Sequence, residues 1–336
     1  MNPLVKNIDW PAKIFKVDQS NFTALALEVF LFQHANNQLY RQYCDCLKID
    51  PSKISDIVQI PFLPIRFFKT HQVTTTNFNA AVIFESSGTT QTINSKHYVK
   101  DTCLYQQSFT QAFQLFYGNP QDWCIIALLP SYLERNNSSL VMMADHLIRQ
   151  SQHPQSGFYL NNYRQLHTTL QLLQQQQKKT LLIGVTFALL DFAEQFPMLL
   201  QHTAVMETGG MKGRRNDLTR QQVHEILSQA FQVRNIHSEY GMTELLSQAY
   251  SKGNGIFNCP PWMKILIREE DDPFAVHEAG ATNITTGAVN IIDLANIYSC
   301  AFIATDDAGK LYPNNSCELL GRLDNTDIRG CSLLAL

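Results

Sequence analysis

The segment between residues 84 and 97 contains residue types that can hold an anion. Five small or hydroxylated residues follow one another there: Ser86, Ser87, Gly88, Thr89 and Thr90. Such a loop can turn its backbone N–H groups and hydroxyls toward a phosphate, and its glycine allows a close approach because it has no Cβ. Lys96 and His97 then add a positive and a proton-carrying side chain. The alternative is an ordinary Ser/Thr-rich surface loop, and the spacing of a Walker A loop is absent from the sequence.

Polar or glycine-containing loops also follow three later apolar runs. The runs and their loops are 123–129 before 130–139, 204–206 before 207–215, and 233–237 before 238–245. Open α/β sheets bind ligands at the carboxyl ends of their strands, so these loops are candidates for one binding site. The adjacent Gly209 and Gly210 indicate close approach by a ligand or by another chain segment. For the loop 130–139, a simple connection around one buried tyrosine is the competing interpretation.

Alternating helix and strand patterns predict an α/β fold. Apolar residues at helical spacing predict helices at 21–47, 101–117, 163–179, 187–196 and 218–231. Short apolar runs predict strands at 80–84, 123–129, 181–185, 204–206 and 233–237. This alternation favours a mostly parallel sheet with helices on both faces. After residue 255, strands predicted at 262–268, 288–294 and 299–304 are separated by turn residues, which indicates a smaller β-rich subdomain.

The composition of the 336-residue chain argues against several classes of protein. Hydrophobic residues make up 45%, enough for a large core, while a net charge of −3 without a basic stripe argues against nucleic-acid binding. The eight cysteines include no CxxC pair, so we expect neither a disulfide framework nor a zinc site. The sequence shows no signal peptide and no apolar run long enough to span a bilayer, so we expect a cytoplasmic protein.

Five short motifs together resemble the signature set of the acyl- and aryl-adenylate-forming ligases. They are the 86–90 run, the Gly209-Gly210 pair, Tyr240-Gly241-Met242-Thr243-Glu244, Thr305-Asp306-Asp307-Ala308-Gly309 and Gly321-Arg322-Leu323-Asp324. The third matches the Y-G-x-T-E pattern of those ligases without a substitution, whereas the fourth has Asp306 where their pattern has glycine. All five occur in the right order.

Within that superfamily, the sequence looks most like the acyl-protein synthetases of bacterial luminescence operons (LuxE-type). The lead-in at 84–85, the loop 130–135, the continuation 247–250 and the ending 327–331 carry this closer likeness. The resemblance implies the large N-terminal domain of adenylate-forming ligases over residues 1–321, with α/β sheets in 1–254 and the β-rich subdomain in 255–321. Residues 322–336 would form a hinge and a short tail, and the mobile C-terminal domain with its adenylation lysine would be missing.

The resemblance also implies ATP and Mg²⁺ as cofactors. The 86–90 loop would hold the β- and γ-phosphates, and Lys96 would supply positive charge, because residues 91–94 depart from the Gly-x-Pro-Lys of the superfamily. Thr243 would hydrogen-bond the α-phosphate, and Glu244 would ligate Mg²⁺, a hard cation that takes carboxylate and phosphate oxygens.

The remaining motif residues would bind the nucleoside. The resemblance places Tyr240 against the adenine ring, with Gly209 and Gly210 lining the base and Gly241 beside them in the nucleotide site. Asp307 would accept hydrogen bonds from the ribose hydroxyls, and Arg322 would add donors near the ribose.

The implied reaction is ATP-dependent activation of a fatty or other carboxylic acid as an acyl-adenylate, followed by transfer to a protein thiol. Cys331 is our candidate for that thiol, because in the luminescence enzymes the acyl group passes through a cysteine to a partner reductase. The competing interpretation makes Cys331 one more buried thiol. The expected partners are the acid and an acyl-reductase or acyl-carrier protein. Transfer to coenzyme A, release of acyl-AMP, and a non-catalytic nucleotide- or acyl-binding role remain alternatives.

Overall fold

The computed structural model describes residues 8–86, 93–129, 137–160, 162–210 and 218–323. The α-helices within these ranges are α1 (Trp10–Ile14), α2 (Phe22–Asn36), α3 (Gln38–Cys46), α4 (Phe67–Thr70), α5 (Thr102–Tyr117), α6 (Ser139–Ser151), α7 (Tyr163–Gln175), α8 (Thr186–Gln195) and α9 (Arg220–Phe231). The strands are β1 (Leu63–Pro64), β2 (Val82–Glu85), β3 (Lys96–Val99), β4 (Cys124–Leu128), β5 (Gly157–Phe158), β6 (Thr180–Gly184), β7 (Thr203–Glu207), β8 (His237–Tyr240), β9 (Ala249–Ser251), β10 (Ile256–Asn258), β11 (Met263–Arg268), β12 (Val276–His277), β13 (Thr285–Asp293), β14 (Phe302–Leu311) and β15 (Cys317–Arg322).

Thirteen of the described strands form one continuous sheet. Its order is β12-β11-β13-β14-β15-β10-β9-β8-β7-β6-β4-β5, and β1 pairs with β14 outside this path. Neighbouring strands from β5 to β8 run parallel. From β8 to β12 neighbours run antiparallel. The predicted α/β fold is confirmed, and the later β-rich segment continues the parallel sheet. Whether residues 255–321 act as a separate subdomain stays a prediction.

Side chains that cap the first turns fix where several helices begin. Asp101 and Asn162 each accept a hydrogen bond from a backbone N–H in the first turn of α5 and of α7. Thr219 forms a reciprocal capping box with Gln222 at the start of α9. Each cap contributes about 1 kcal/mol. The three helices predicted here are confirmed, with small changes at their ends.

The single helix predicted at 21–47 is wrong, because the chain breaks at Asn37. Asn37 adopts an extended conformation, and its side chain accepts a hydrogen bond from the Tyr40 N–H to begin α3. Its Nδ2 also donates to the Ser299 carbonyl over 2.9 Å. The pattern of apolar residues continues through both helices, so the break has a tertiary cause.

Two predicted strands are displaced, and both displacements bear on the site. The strand predicted at 233–237 instead occupies His237–Tyr240, so Tyr240 itself is a strand residue. The strand predicted at 299–304 instead occupies Phe302–Leu311, which brings Asp306 and Asp307 into β14. Both strands contain polar residues that pair with neighbouring strands. A search for runs of apolar residues does not detect such strand positions.

The strand predicted at 80–84 corresponds to β2, but β2 lies outside the large sheet. It pairs with β3 as a two-stranded antiparallel hairpin, and only Phe84 of its four residues is fully buried. A two-stranded sheet has no second neighbour to cover its edges, which explains the partial exposure. The ends of this hairpin are the attachment points of the Ser/Thr-rich loop.

The core lies on both faces of the parallel strands. Every residue of β4 and of β6 is buried, as expected for strands that are covered by helices on both sides. Across the described ranges, no helix combines the length and apolar character that crossing a lipid bilayer requires. The packed sheet provides a rigid support for the loops at its carboxyl edge.

Candidate active site

The parallel strands β7 and β8 end beside each other at one edge of the sheet. Their register pairs Glu207 with Ser238. The glycine pair follows β7 after one residue, Thr208, and the 240–244 motif begins with the last residue of β8. In open α/β sheets this edge is where ligands bind. The fold therefore brings two of the predicted motifs to a common edge.

Tyr240 contacts the two motifs that lie near the end of the described chain. Its hydroxyl donates to Asp307 Oδ2 over 2.7 Å, and Arg322 Nε lies 3.9 Å from Asp307 Oδ1. Asp307 and Arg322 are themselves cross-strand partners of β14 and β15. Burial raises the pKa of Tyr240 well above its ordinary value, so its hydroxyl stays protonated and can donate. Burial also raises the pKa of Asp307, and the Tyr240 hydrogen bond opposes that rise.

Hydrogen bonds from distant segments hold the backbone of Thr243 and Glu244. The Thr243 carbonyl accepts from His97 Nδ1 over 2.9 Å, and the Glu244 carbonyl accepts from Asn296 Nδ2 over 2.8 Å. Because both anchors lie in the packed interior, the position of this turn is fixed by the core.

The Glu244 carboxyl group is buried between the base of the Ser/Thr-rich loop and the end of β15. The residue is only 7% exposed, and burial raises the pKa of its carboxyl. A hydrogen bond from Ser95 and the positive charges of Arg322 and Lys69 oppose that rise. A carboxylate with these neighbours is held in place and remains close to positive charge.

Ser86 and Ser95 close the base of the Ser/Thr-rich loop. The Ser95 N–H donates to Ser86 Oγ over 2.9 Å, and the Ser86 N–H donates to the Ser95 carbonyl over 3.1 Å. Ser95 therefore connects the loop base, including Ser86, to the Glu244 carboxyl group. The predicted phosphate-binding residues Ser87, Gly88, Thr89 and Thr90 lie outside the described residues, as does Cys331.

Lys96, the predicted substitute cation, lies on β3 beside this loop base. Its Nζ is 3.8 Å from Glu85 Oε1, and its side chain is half exposed. An exposed pair of this kind contributes little to stability, because water screens both charges. The ammonium group is thus near the loop, and its predicted contact with a phosphate stays a prediction.

His97 positions the motif and is uncharged at neutral pH, with its one ring proton on Nδ1. Since Nδ1 donates to the Thr243 carbonyl, the neutral ring accepts at Nε2 from Ser299 Oγ, 2.9 Å away. Burial lowers the pKa of His97 to about 4, so the ring is neutral at pH 7. The side chain joins β3 to the 240–244 motif.

Glu207 holds the glycine pair. Gly209 and Gly210 have φ values of 73° and 87°, in the left-handed region that favours glycine. Glu207 Oε2 accepts from the Gly209 N–H over 2.7 Å. Burial alone would raise the pKa of Glu207, but hydrogen bonds led by those of His224 and Ser238 lower it to about 2. An ionised carboxylate therefore fixes this turn at neutral pH.

Asp293 holds the residues that follow the motif. Its Oδ2 accepts from the N–H groups of Leu246 and Ser247 over 2.8 and 2.9 Å, and its Oδ1 accepts from Ser247 Oγ over 2.6 Å. Burial raises the pKa of Asp293 to about 6 in spite of these bonds. The carboxylate ties the chain after the motif to the end of β13.

A cavity of about 130 Å³ lies beside Thr243. Among the described residues it is lined by Glu239, Gly241 and Gln248, with the aromatic ring of Tyr105 in its wall. Burial raises the pKa of Glu239 to about 8, and the negative charge of Glu207 adds to the rise. The site thus has a small pocket next to the residues predicted to bind phosphate.

The sequence placed His97 in the candidate anion-binding segment but did not indicate its positioning role, and Glu207, Glu239 and Asp293 were not predicted as site residues. Glu207 and Glu239 lie inside the candidate loops 207–215 and 238–245, so their nearness to the motifs was an available signal. Asp293 and His97 reach the motif region from 47 and 146 residues away along the chain. No local sequence pattern indicates contacts between residues that lie so far apart along the chain.

The described residues could hold Mg²⁺ only if a bound ligand also supplied phosphate oxygens. Within these residues no group of three or more His, Cys, Asp or Glu side chains could hold a metal ion. Glu244 supplies one buried carboxylate, and Mg²⁺ is commonly held by one or two carboxylates plus phosphates and water. An ion at this place would depend on the nucleotide for most of its oxygen ligands.

Solved structures define the class of fold. A 2-hydroxyisobutyryl-CoA ligase in complex with 2-HIB-AMP superposes with a TM-score of 0.66 at 11% identity, covering 96% of this chain and 72% of that chain. ATP-bound MatB from Rhodopseudomonas palustris gives 0.52 at 15% identity, with 74% and 49% covered. A long-chain-fatty-acid-CoA ligase from Archaeoglobus fulgidus gives 0.51 at 12%, with 73% and 52% covered. The fold matches the N-terminal domain of adenylate-forming ligases, and it spans about half the length of the latter two chains.

The sequence identifies the family within that class. The family model described as acyl-protein synthetase, LuxE, matches residues 11–335, so the chain belongs to this family. Comparison with curated proteins gives no significant match. The family predicted from the segments 84–85, 130–135, 247–250 and 327–331 is confirmed.

Proposed function

We propose that this protein uses ATP to activate a carboxylic acid as an acyl-adenylate. The observation that carries the proposal is the chain of contacts among three distant segments. Ser86 bonds to Ser95, Ser95 to Glu244, and the adjoining motif residue Tyr240 to Asp307. Each segment contains a motif of the adenylate-forming ligases, and membership of the acyl-protein synthetase family supports the same reaction.

The reaction joins two anions, so positioning and charge neutralisation account for most of the catalysis. A carboxylate oxygen of the acid attacks the α-phosphorus of ATP, the new C–O–P linkage forms, and the bond to pyrophosphate breaks. In this proposal Thr243 donates to the α-phosphate and the 86–90 loop with Lys96 holds the β- and γ-phosphates.

The nucleoside would lie against the strand ends. Tyr240 would contact the adenine ring beside Gly209, Gly210 and Gly241. Asp307 would accept from the ribose hydroxyls, with Arg322 adding donors from the neighbouring strand. Asp307 is already fixed by Tyr240, which supports a preformed ribose contact.

Glu244 would hold Mg²⁺ through its buried carboxylate. The ion, when bound, would neutralise phosphate charge. The carboxyl group itself is oriented by Ser95 and lies near Arg322, so its position does not depend on an exposed loop. Burial disfavours its ionised form, and a cation at this place would offset that cost.

Pyrophosphate exchange tests the proposed activation. With a panel of carboxylic acids, the wild-type protein should catalyse ATP–pyrophosphate exchange, and Glu244→Gln should reduce the rate by about 100-fold or more, as expected for loss of a metal-binding carboxylate. Glu269→Gln serves as a matched control, because Glu269 is exposed and, among the described residues, its side chain bonds His277 on a β-hairpin away from the site. Equal exchange by wild type and Glu244→Gln would remove Glu244 from this role.

We further propose that the acyl group passes from the adenylate to a cysteine of this protein, and from there to an acyl-reductase or acyl-carrier partner. A thiolate is the reactive form of cysteine. Burial raises the pKa of Cys44, Cys300 and Cys317 to about 12, which makes these thiols poor nucleophiles. Their inertness favours a cysteine elsewhere, and Cys331 is our candidate.

Covalent labelling tests the transfer step. After incubation with ATP and a radioactive acid substrate, wild-type protein should carry a hydroxylamine-sensitive label, and Cys331→Ser should lose it while still exchanging pyrophosphate. Cys46→Ser is the matched control, since Cys46 is exposed on α3. Undiminished labelling of Cys331→Ser would exclude this cysteine.

We also propose a cytoplasmic location. All seven described cysteines are free thiols, which is the state that a reducing compartment maintains.

A further inference from the structure

A second cavity lies apart from the candidate active site. Its volume is about 520 Å³, and its described lining comes from the end of α3, the 58–66 segment and the strands β11, β12 and β14. It shares no described lining residue with the cavity beside Thr243, and none of its described lining residues is predicted to contact the nucleotide. Its size is within the roughly 300–1,000 Å³ of pockets that bind small molecules.

The walls of this second cavity are mostly apolar. Leu47 and Val58 line it together with Phe274, which is 60% exposed. The Tyr43 hydroxyl donates to the Phe62 carbonyl over 3.0 Å, so its polar end is occupied and its ring can serve as an apolar wall. A ligand with an apolar body would remove this surface from water, which contributes roughly 25 cal/mol for each Å² buried.

The charged residues of the described lining are two arginines and one aspartate, Arg66, Arg268 and Asp306. Arg66 Nε lies 3.3 Å from Asp306 Oδ2, and the charge of Asp306 also acts on Arg268. The three charges therefore lie close together, with positive charge in excess. Because the pair of Arg66 and Asp306 is partly exposed, it contributes little to stability, and Arg66 is available to a bound anion.

Arg268 is held in a fixed orientation by neutral acceptors. Its Nη1 donates to the Val289 carbonyl and to Asn290 Oδ1 over 2.8 and 2.7 Å, and its Nη2 donates to the Thr305 carbonyl over 2.6 Å. Burial lowers the pKa of Arg268, although a guanidinium group stays charged at neutral pH. An anion in the cavity would offset the cost of burying this charge.

We infer that the second cavity binds an amphipathic carboxylate, a molecule with an apolar body and one carboxylate group. The carboxylate binds Arg66 and Arg268, because a guanidinium group can donate two parallel hydrogen bonds to it. The apolar body lies against Leu47 and Phe274. Asp306, which stands where the ligase motif has glycine, then holds Arg66 while the cavity is empty. This inference goes beyond the proposed function, since the ligand is bound there without being activated.

Photochemical cross-linking tests the location of the ligand. Wild-type protein without ATP is irradiated with a decanoic acid that carries a diazirine in its chain, and the labelled peptides are identified by mass spectrometry. We expect label on peptides that contain residues 43–66 or 268–276. Decanoate should displace the label at a concentration about 10-fold lower than decanol does, the size expected for hydrogen bonds to a charged group.

Two substitutions at the charged end should change the affinity in opposite directions. Arg66→Gln should raise the decanoate concentration that halves the label by about 5-fold, because it removes one partly exposed cation. Asp306→Asn should lower that concentration, because it removes the carboxylate that competes for Arg66. Arg164→Gln is the matched control, since Arg164 is exposed on α7 and is not among the described lining residues. Thermal unfolding confirms beforehand that each variant is folded.

Several results would overturn the inference. They include label outside these peptides only, and label that decanol displaces as well as decanoate does. Label that appears in a Leu333→Ser/Leu334→Ser variant but not in wild type would assign the cavity to the segment 324–336, which follows Leu323 beside Asp306. If Arg66→Gln raised the KM for the acid in pyrophosphate exchange by the same factor, the cavity would be the substrate site and not a second site.

Discussion

Glu239 occupies surroundings that disfavour its ionised form. Burial raises the pKa of its carboxyl to about 8, and the charge of Glu207 adds to the rise. In an unfolded chain the same group titrates near 4.3. Between these two values the folded state binds more protons than the unfolded state, so the free energy of unfolding falls as pH rises.

The pH dependence of stability tests this assignment. Glu239→Gln removes the titration, so the variant should gain stability relative to wild type between about pH 5 and pH 8, by roughly 1–3 kcal/mol. Denaturant unfolding of both proteins across that range measures the difference. Glu269→Gln should show a constant difference from wild type. A constant difference for Glu239→Gln would mean that its carboxyl is ionised throughout this range and that the pocket is more polar than its described lining indicates.

Among the helices and strands, the predictions from sequence are accurate where apolar periodicity and capping residues indicate the same element. The helices α5, α7, α8 and α9 and the strands β4, β6 and β7 follow from apolar spacing. The break at Asn37 did not follow, because its cause is a hydrogen bond to Ser299, far along the chain. The helix α6 was not predicted either, although Ser138 caps its first turn.

The site shows the same division between local and long-range information. Tyr240, Thr243, Glu244 and Asp307 stand in motifs, so their types and order could be predicted from the sequence. The pairing that brings Asp307 to Tyr240 depends on β14 lying against β15, and a strand containing two acidic residues was not recognised as a strand. The side chains that orient the motif residues are brought to them by tertiary contacts, which no local sequence pattern encodes.

On the scale of the whole molecule, the continuous sheet explains how distant segments form one site. The strands β10 and β9 connect β15 to β8, so the antiparallel half delivers Asp307 and Arg322 to the carboxyl edge of the parallel half. The hairpin of β2 and β3 is joined to the same edge through His97. Binding by such a site should depend on residues from all three regions.

ATP affinity measures that central claim most directly. Titration calorimetry with wild type, Thr243→Ala and Asp307→Asn should show binding to wild type and a loss of about 10-fold for each variant, since each removes roughly one hydrogen bond to the nucleotide. Glu269→Gln should bind as wild type does. ATP binding of undiminished affinity by both folded variants, or no binding by wild type, would contradict the account.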